Sequence, residues 1–135
     1  MTARNPSSNG SKKAKGNTMP TLTYIASPYS HESHESHEVM RHRFEAVCDY
    51  AGQQMTAGNV VYSPIAHSHP IAVRGGLPTD WGFWQTFDHV MLTRCDAMTV
   101  LMLPGWDESV GVKSEVATAL ALGISVDYES WESDE

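Results

Sequence analysis

The chain has 135 residues, 41% of them hydrophobic, which predicts one domain with a packed core. A formal net charge of −7 disfavours nucleic-acid binding by the folded part, and no apolar run is long enough to predict a membrane span. Cys48 and Cys95 do not form a C-x-x-C pair, so we expect buried thiols in a reducing, cytoplasmic compartment.

The two ends of the chain differ in composition from its centre. Residues 1–20 hold four basic residues and no acidic one, which is typical of a disordered basic arm. They lack the apolar centre of a secretory signal. Residues 130–135 form an acidic tail within the segment DYESWESDE, which we expect to be a solvated end. The predicted domain is therefore residues 21–129.

The first half of this domain contains two predicted strands and one helix. TLTYIAS (21–27) is β-branched and apolar, which predicts a strand. Apolar residues recur at steps of three and four from about 38 to 57, and Gly58 suits the end of that helix. NVVYSP (59–64) predicts a short strand that Pro64 ends.

The next segments predict a loop, a helix and a buried strand. AHSHPIAVRGGLPTD (66–80) contains two prolines and two adjacent glycines, which predicts a long loop. WGFWQTFDHVMLTRC (81–95) is helical, with Asp80 or Thr79 as its N-cap. AMTVLMLP (97–104) is almost wholly apolar, which is typical of a central strand in a parallel sheet.

The last segments complete an alternating pattern. GWDESVG (105–111) predicts a loop, VKSEVATALALG (112–123) a helix, and ISVDYE (124–129) a strand. The alternation predicts an α/β fold, a three-layer doubly wound (flavodoxin/Rossmann-like) parallel sheet of about four to five strands. Ligands bind beyond the carboxyl ends of such strands, so the loops after each strand should converge on one site.

Glu115 is the sharpest candidate for chemistry. We place it in the first turn of the last helix, where the helix dipole favours the ionised carboxylate. A fixed carboxylate in a cleft can act as a nucleophile at a sugar carbon. A glutamate at this position is also favourable without any function.

Other polar residues support or compete with this hypothesis. Asp88 lies on the helix before the central strand, where it is either a second carboxylate of the cleft or a solvated helix residue. Asp96 directly precedes that strand and suits a structural cap. Tyr24 could orient a nucleophilic carboxylate, although a strand tyrosine usually serves packing.

The repeat HESHESHE (31–38) lies between the first strand and the first helix. Its histidines could share a helix face, but the interleaved glutamates and the spacing match no dedicated zinc site. We interpret the repeat as a rim of the cleft with pH-dependent charge, and no metal is predicted.

Several blocks together resemble one superfamily. These are YIASPY, the D-x7-D spacing of Asp88 and Asp96, the apolar strand, and S-x-G-x-x-x-E ending at Glu115. They are similar to the nucleoside 2-deoxyribosyltransferase-like superfamily, which includes 2′-deoxynucleoside 5′-monophosphate N-glycosidases, and most of all to its small bacterial and phage branch. The resemblance extends over about residues 21–128.

The resemblance implies roles for individual residues. Glu115 would attack C1′ of the sugar, Asp88 would act near the leaving base, and Tyr24 would contact the nucleophile. Ser109 stands where the monophosphate hydrolases of the superfamily have a serine, which implies a phosphate contact. Asp107 and Glu108, beside Ser109, would repel a phosphate if they pointed inward.

The predicted site therefore has two groups of residues. Arg43 follows the first loop and is the expected partner of an anion. The predicted catalytic residues are Glu115, Asp88 and Tyr24, and the predicted substrate-binding residues are Ser27, Tyr29, Arg43, His69, Asp96, Ser109 and Gly111.

The resulting functional hypothesis is cleavage or transfer at the N-glycosidic bond of a (deoxy)nucleotide or nucleoside, through a covalent glycosyl-enzyme on Glu115. No cofactor is predicted, the ligand is a small molecule, and the resemblance implies a homo-oligomer without a stable nucleic-acid partner. The main alternative is a non-catalytic nucleotide-binding or sensing module that uses the same cleft. A structural or phage-accessory protein is a third hypothesis.

Overall fold

The computed structural model describes residues 19–30 and 37–132. Within these ranges, strands and helices alternate along most of the chain, as the sequence predicts. The elements are β1 (Leu22–Ala26), α1 (His37–Thr56), β2 (Val60–Tyr62), α2 (Pro64–Gly75), α3 (Trp81–Leu92), β3 (Ala97–Leu101), a 3-10 helix (Trp106–Glu108), α4 (Val110–Ala121) and β4 (Ser125–Glu129).

The described strands form one four-stranded sheet in the order β2-β1-β3-β4, and all neighbours are parallel. Tyr24 of β1 is opposite Tyr62 of β2 on one side and Met98 of β3 on the other. Helices flank the sheet, so the predicted α/β, flavodoxin/Rossmann-like three-layer fold is confirmed.

The two faces of the sheet have separate apolar cores because successive strand residues point to opposite faces. On one face, Tyr24 and Met98 pack with residues of α3 and α4, including Leu92 and Ala119. On the other face, Ile25 packs with residues of α1. β1 is therefore packed on both faces, which holds its carboxyl end, where the site lies, in a fixed position.

The segment predicted as a long loop is largely the helix α2, so that prediction was wrong. Ser63 caps the helix, with its hydroxyl oxygen accepting the N–H of Ala66, and Pro64 occupies the first turn, where it needs no N–H partner. Gly76 ends the helix in the left-handed region at φ 65°. Pro70 is tolerated inside, although it removes one backbone hydrogen bond.

The other helix boundaries differ less from the prediction. Asp80 is the N-cap of α3, as expected, and its side chain accepts the N–H of Phe83 at 3.1 Å. α4 begins at Val110, two residues earlier than predicted, because Ser109 caps it. Glu115 therefore lies in the second turn of α4 and not in the first.

The described part of the predicted solvated end is exposed at residues 127–130, but it also contacts the domain. Glu129 belongs to β4 and accepts a hydrogen bond from the hydroxyl of Tyr50 at 2.7 Å. Trp131 packs edge-on against Tyr50, with ring centroids 5.3 Å apart. Of the two cysteines, Cys95 is buried as predicted, while Cys48 is only half-buried.

Some predictions fall on residues that the structure does not describe. These are most of the basic arm (1–18), most of the HES repeat (31–36) and the last three residues of the acidic tail (133–135). None of the described helices is both long enough and apolar enough to span a membrane.

Candidate active site

A cleft opens where the carboxyl end of β1 meets α2, α3 and the start of α4. About 580 Å³ of non-atom space lies within it, a volume that includes the open solvent at its mouth. Its lining comprises Ser27, Tyr29, Ser30, Pro64, Ile65, Ser68, His69, Ala72, Thr79, Asp80, Trp81, Trp84, Asp88, Ser109, Gly111 and Glu115.

Glu115 lies at the inner wall of this cleft. Its side chain is only 4% exposed, and Tyr24 donates a hydrogen bond to Glu115 Oε2 at 2.5 Å. Tyr24 is fully buried on β1, and burial, followed by the charge of Glu115, raises the pKa of its hydroxyl far above the usual value. Tyr24 therefore remains a hydrogen-bond donor that fixes the position of the Glu115 carboxyl group.

The expected stabilisation of ionised Glu115 by the helix end is wrong. The helix dipole stabilises a negative charge mainly in the first turn. The carboxyl group of Glu115 lies in the second turn of α4, where this effect is weaker. The pKa of Glu115 is raised to about 8: burial is the main cause, the hydrogen bond from Tyr24 lowers the pKa in part, and the charge of Asp88 adds to the rise. Desolvation is the dominant effect.

Asp88 is the second carboxyl group of the cleft. It is 7% exposed, so the alternative of a solvated helix residue is wrong: its side of α3 faces the interior next to α4. Burial raises the pKa of Asp88 to about 7. Its Oδ1 is buried and has no hydrogen-bond partner among the described residues. Buried polar atoms are usually paired, so this oxygen is available to a ligand.

Tyr62 is a residue that the sequence analysis overlooked. It ends β2 in register with Tyr24, and their rings lie 5.9 Å apart. Its hydroxyl is buried without a partner in the described part of the chain, and burial, followed by the charge of Asp88, raises its pKa. Its position at the carboxyl end of a strand beside Tyr24 was the available signal.

The start of α4 brings Ser109 and Gly111 to the cleft. The hydroxyl oxygen of Ser109 accepts the N–H of Val112 at 3.1 Å, which leaves its O–H as a donor. A Cβ on Gly111 would lie 3.3 Å from the ring of Trp81. Glycine thus allows the close approach of α4 to the aromatic wall.

Tyr29 and His69 form a polar pair on the opposite side of the lining. The Tyr29 hydroxyl and His69 Nδ1 are 2.5 Å apart, and the His69 ring lies 4.4 Å from that of Phe44. Burial, followed by the charge of His37, lowers the pKa of His69. This histidine is therefore uncharged at neutral pH. Ser27, also in the lining, has a buried hydroxyl without a partner among the described residues.

The structure does not bring Arg43 and Asp96 into the cleft lining. The Arg43 guanidinium donates to the carbonyl oxygens of Tyr29 at 2.8 Å and Pro104 at 3.2 Å, so it ties two loops together. Asp96 lies at the amino end of β3, at the opposite edge of the sheet. It accepts the N–H of Leu22 at 2.9 Å, which is the structural role considered from the sequence.

Two tryptophans form the aromatic part of the lining. Trp81 and Trp84 are half-buried, and Trp84 is oriented by a hydrogen bond from its indole N–H to the carbonyl oxygen of Pro78.

Within the described residues, no group of three His, Cys, Asp or Glu side chains could hold a metal ion. Only His37 of the three repeat histidines lies in the described part, at the start of α1.

The fold and the cleft define an α/β protein with a buried carboxyl pair beyond the carboxyl ends of a parallel sheet. Residues 21–130 match the family described as "Domain of unknown function (DUF1937)", and the chain belongs to this family. None of the curated proteins compared with the chain matches it. The family description names no activity, so function has to be argued from the cleft.

Proposed function

We propose that this protein cleaves or transfers the N-glycosidic bond of a nucleoside or nucleotide through a glycosyl intermediate on Glu115. The observation that supports this most is the buried Glu115, positioned by Tyr24, with the unpartnered Asp88 in the same cleft. Sugar chemistry of this kind uses two carboxyl groups with different roles. The sequence resemblance to nucleoside 2-deoxyribosyltransferases supports the same conclusion.

The first step assigns the nucleophile to Glu115. Its carboxylate attacks C1′, and the bond to the base nitrogen breaks with its electron pair leaving on the base. The hydrogen bond from Tyr24 keeps one carboxylate oxygen fixed and lowers the pKa of Glu115, which favours the ionised form needed for attack.

Asp88 supplies the proton that the leaving base requires. Burial raises the pKa of Asp88 to about 7, so a protonated fraction is present near neutral pH, as a general acid requires. A proton on Asp88 also removes the negative charge that raises the pKa of Glu115. In the proposed active form the pair holds one proton, with Asp88 as the acid and Glu115 as the carboxylate. Because the pKa of Glu115, at about 8, is the higher of the two, most molecules with an empty cleft carry that proton on Glu115, and the active form is the minor one.

The second step releases the sugar from Glu115. Water or a second base attacks C1′, the bond to Glu115 breaks, and Asp88 accepts the proton of the attacking group. Water makes the reaction a hydrolysis, and a base makes it a transfer.

A cytoplasmic location and a homo-oligomer belong to the same proposal. The cysteine usage of the chain supports the location, and the resemblance supports the homo-oligomer.

One observation favours a second candidate, a binding module without turnover. Because burial raises the pKa of Glu115 to about 8, its carboxyl group is largely protonated at neutral pH while the cleft is empty. A protonated Glu115 is a hydrogen-bond donor and not a nucleophile. In that case Glu115→Gln would bind the ligand as well as the wild type, and no product would form.

A screen for released base distinguishes the two. Purified protein is incubated with ribo- and 2′-deoxynucleosides and their 5′-monophosphates, with and without an acceptor base, and products are separated by chromatography. We expect base release by the wild type and none by Glu115→Gln. Glu108→Gln is the matched control and should retain activity, because Glu108 is an exposed glutamate two residues before α4 and outside the cleft lining. Release that persists in Glu115→Gln would overturn the proposal.

A further inference from the structure

The charged groups of the cleft are predominantly acidic. Asp80 lies exposed at its mouth, and Asp88 and Glu115 are buried at its inner wall. No lysine or arginine occurs among the described residues that line it. The undescribed segment 31–36, which follows the first loop, also contains neither residue type in its sequence.

The nearest candidates for a positive charge do not supply one. His69 is in the lining, but its lowered pKa keeps it uncharged at neutral pH. Arg43 is not in the lining itself, and its guanidinium donates to the backbone carbonyl oxygens of Tyr29, a lining residue, and of Pro104. A phosphate in the cleft would thus have no arginine fork of the kind that usually binds it.

Ser109 and the start of α4 could offer a phosphate only partial compensation. The serine oxygen already accepts the N–H of Val112, so that N–H is not available to an anion. The remaining attraction of a helix N-terminus corresponds to about half an elementary charge. The Asp80 carboxylate and the one negative charge on the Asp88–Glu115 pair in its active form outweigh this attraction.

The rest of the lining suits an uncharged ligand. Trp81 and Trp84 present aromatic surface, on which a flat base can stack without any charged contact. The hydroxyl groups of Ser27 and Ser109 can donate hydrogen bonds to sugar or base oxygens. Neutral hydrogen bonding and stacking are therefore both available.

We propose, building on the function proposed above, that the cleft selects its substrate by charge and takes a nucleoside without a phosphate in preference to the 5′-monophosphate. This inference departs from the phosphate contact that the serine at position 109 suggests in the sequence. The Asp80 carboxylate and the negative charge on the Asp88–Glu115 pair repel the dianion, and the described lining holds no cation to offset them.

The test uses matched pairs, each of the four natural 2′-deoxynucleosides against its own 5′-monophosphate. We expect kcat/KM for base release to be at least about tenfold higher for the nucleoside in the preferred pair. Added salt should lower the ratio of the two kcat/KM values, because it screens the charge of the exposed Asp80 carboxylate. A monophosphate that is preferred would overturn this inference and leave the glycosidase proposal intact.

Removing the negative charge of Asp80 should lower the nucleoside-to-monophosphate ratio of kcat/KM. Asp80→Asn keeps a side-chain oxygen for the α3 cap, so we expect it to fold and to lower the nucleoside-to-monophosphate ratio of kcat/KM by about threefold. Asp107→Asn, an exposed acid of the 3-10 helix outside the cleft lining, is the control and should change neither rate. A ratio unchanged by Asp80→Asn would count against the inference.

Two further outcomes separate this inference from the proposed function. If no pair releases base, the glycosidase proposal fails, and the affinities of each pair for wild-type protein are then compared by calorimetry. Tighter binding of the nucleoside would still support selection by charge, and tighter binding of the monophosphate, or binding of neither, would overturn it.

Arg43→Gln should leave the nucleoside-to-monophosphate ratio unchanged. A loss of monophosphate binding in that variant would show that Arg43 reaches the ligand and would overturn the inference.

Discussion

In the described part of the chain, two tyrosine–glutamate hydrogen bonds lie on opposite faces of the sheet, and only one of them involves a buried carboxyl group. Tyr24 donates to Glu115 at 2.5 Å, and Tyr50 donates to Glu129 at 2.7 Å. Glu115 is buried beside Asp88, whereas Glu129 is exposed on the edge strand β4. The bond itself is therefore not the mark of a site. The burial of the carboxyl group distinguishes the site, because Asp127 and Glu129 also line one cleft with Tyr50 but are both exposed.

The largest expected effect is the difference in activity between variants of the two glutamates. Glu115→Gln should lower base release by about 10³-fold or more, because the amide cannot attack C1′. Glu129→Gln, the matched variant on the other face, should retain activity within about twofold. Rates are measured by chromatography on a confirmed substrate. Equal losses in the two variants would contradict the distinction between the faces.

The second effect concerns the carboxyl pair and its pH dependence. With the pair's pKa values at about 7 and about 8, the form with one proton predominates between them, so kcat/KM should be bell-shaped with its maximum there. Asp88→Asn removes the acid and the like charge. It should lower the rate by about 10²-fold, remove the alkaline limb and move the acidic limb to lower pH.

Asp127→Asn is the matched control for this experiment. Asp127 is an exposed carboxylate on β4, and the substitution should leave the pH profile as it is. A profile that keeps its alkaline limb in Asp88→Asn would show that another group supplies the proton.

A smaller effect distinguishes the two tyrosines. Tyr24→Phe removes the hydrogen bond that lowers the pKa of Glu115, so its acidic limb should move to higher pH and the rate should fall by about tenfold or more. Tyr50→Phe should not change the pH profile. Both variants are measured over the same pH range. A Tyr24→Phe profile that coincides with the wild type would remove Tyr24 from the mechanism.

The smallest expected effect is on stability. The folded pKa of Asp88 is raised above the unfolded value, so its contribution is fully present below about pH 4 and is lost as pH rises through about 7. Relative to Asp88→Asn, the wild type should lose on the order of 2 kcal/mol of unfolding free energy between about pH 5.5 and 8.5. Urea denaturation measures this, and a relative gain for the wild type would contradict the raised pKa.

The fold was predictable because the strand and helix patterns of this chain are locally clear. β1 and β3 are apolar runs, and the α3 cap was visible as Asp80. α2 was not recognised because Pro70 and the pair Gly75–Gly76 suggest a loop, although Ser63–Pro64 is a good helix start. Here the capping residues outweighed the helix breakers.

The candidate site was predictable in its position but less so in its electrostatics. The parallel topology places Glu115, Ser109 and Tyr29 around one cleft. The burial of Asp88 depends on how α3 packs next to α4, which no local pattern reports. The same holds for Arg43, whose carbonyl partners come from two loops that are distant in sequence.

The covalent intermediate on Glu115 is the central claim, and mass spectrometry tests it most directly. The protein is incubated with 2′-deoxy-2′-fluoroarabinosyl nucleosides, whose electron-withdrawing fluorine slows the release of a glycosyl-enzyme, and is then digested and mapped. We predict a fluorosugar adduct on the peptide that carries Glu115 and none in Glu115→Gln. Base release without an adduct on Glu115, or an adduct on another carboxylate, would contradict the mechanism.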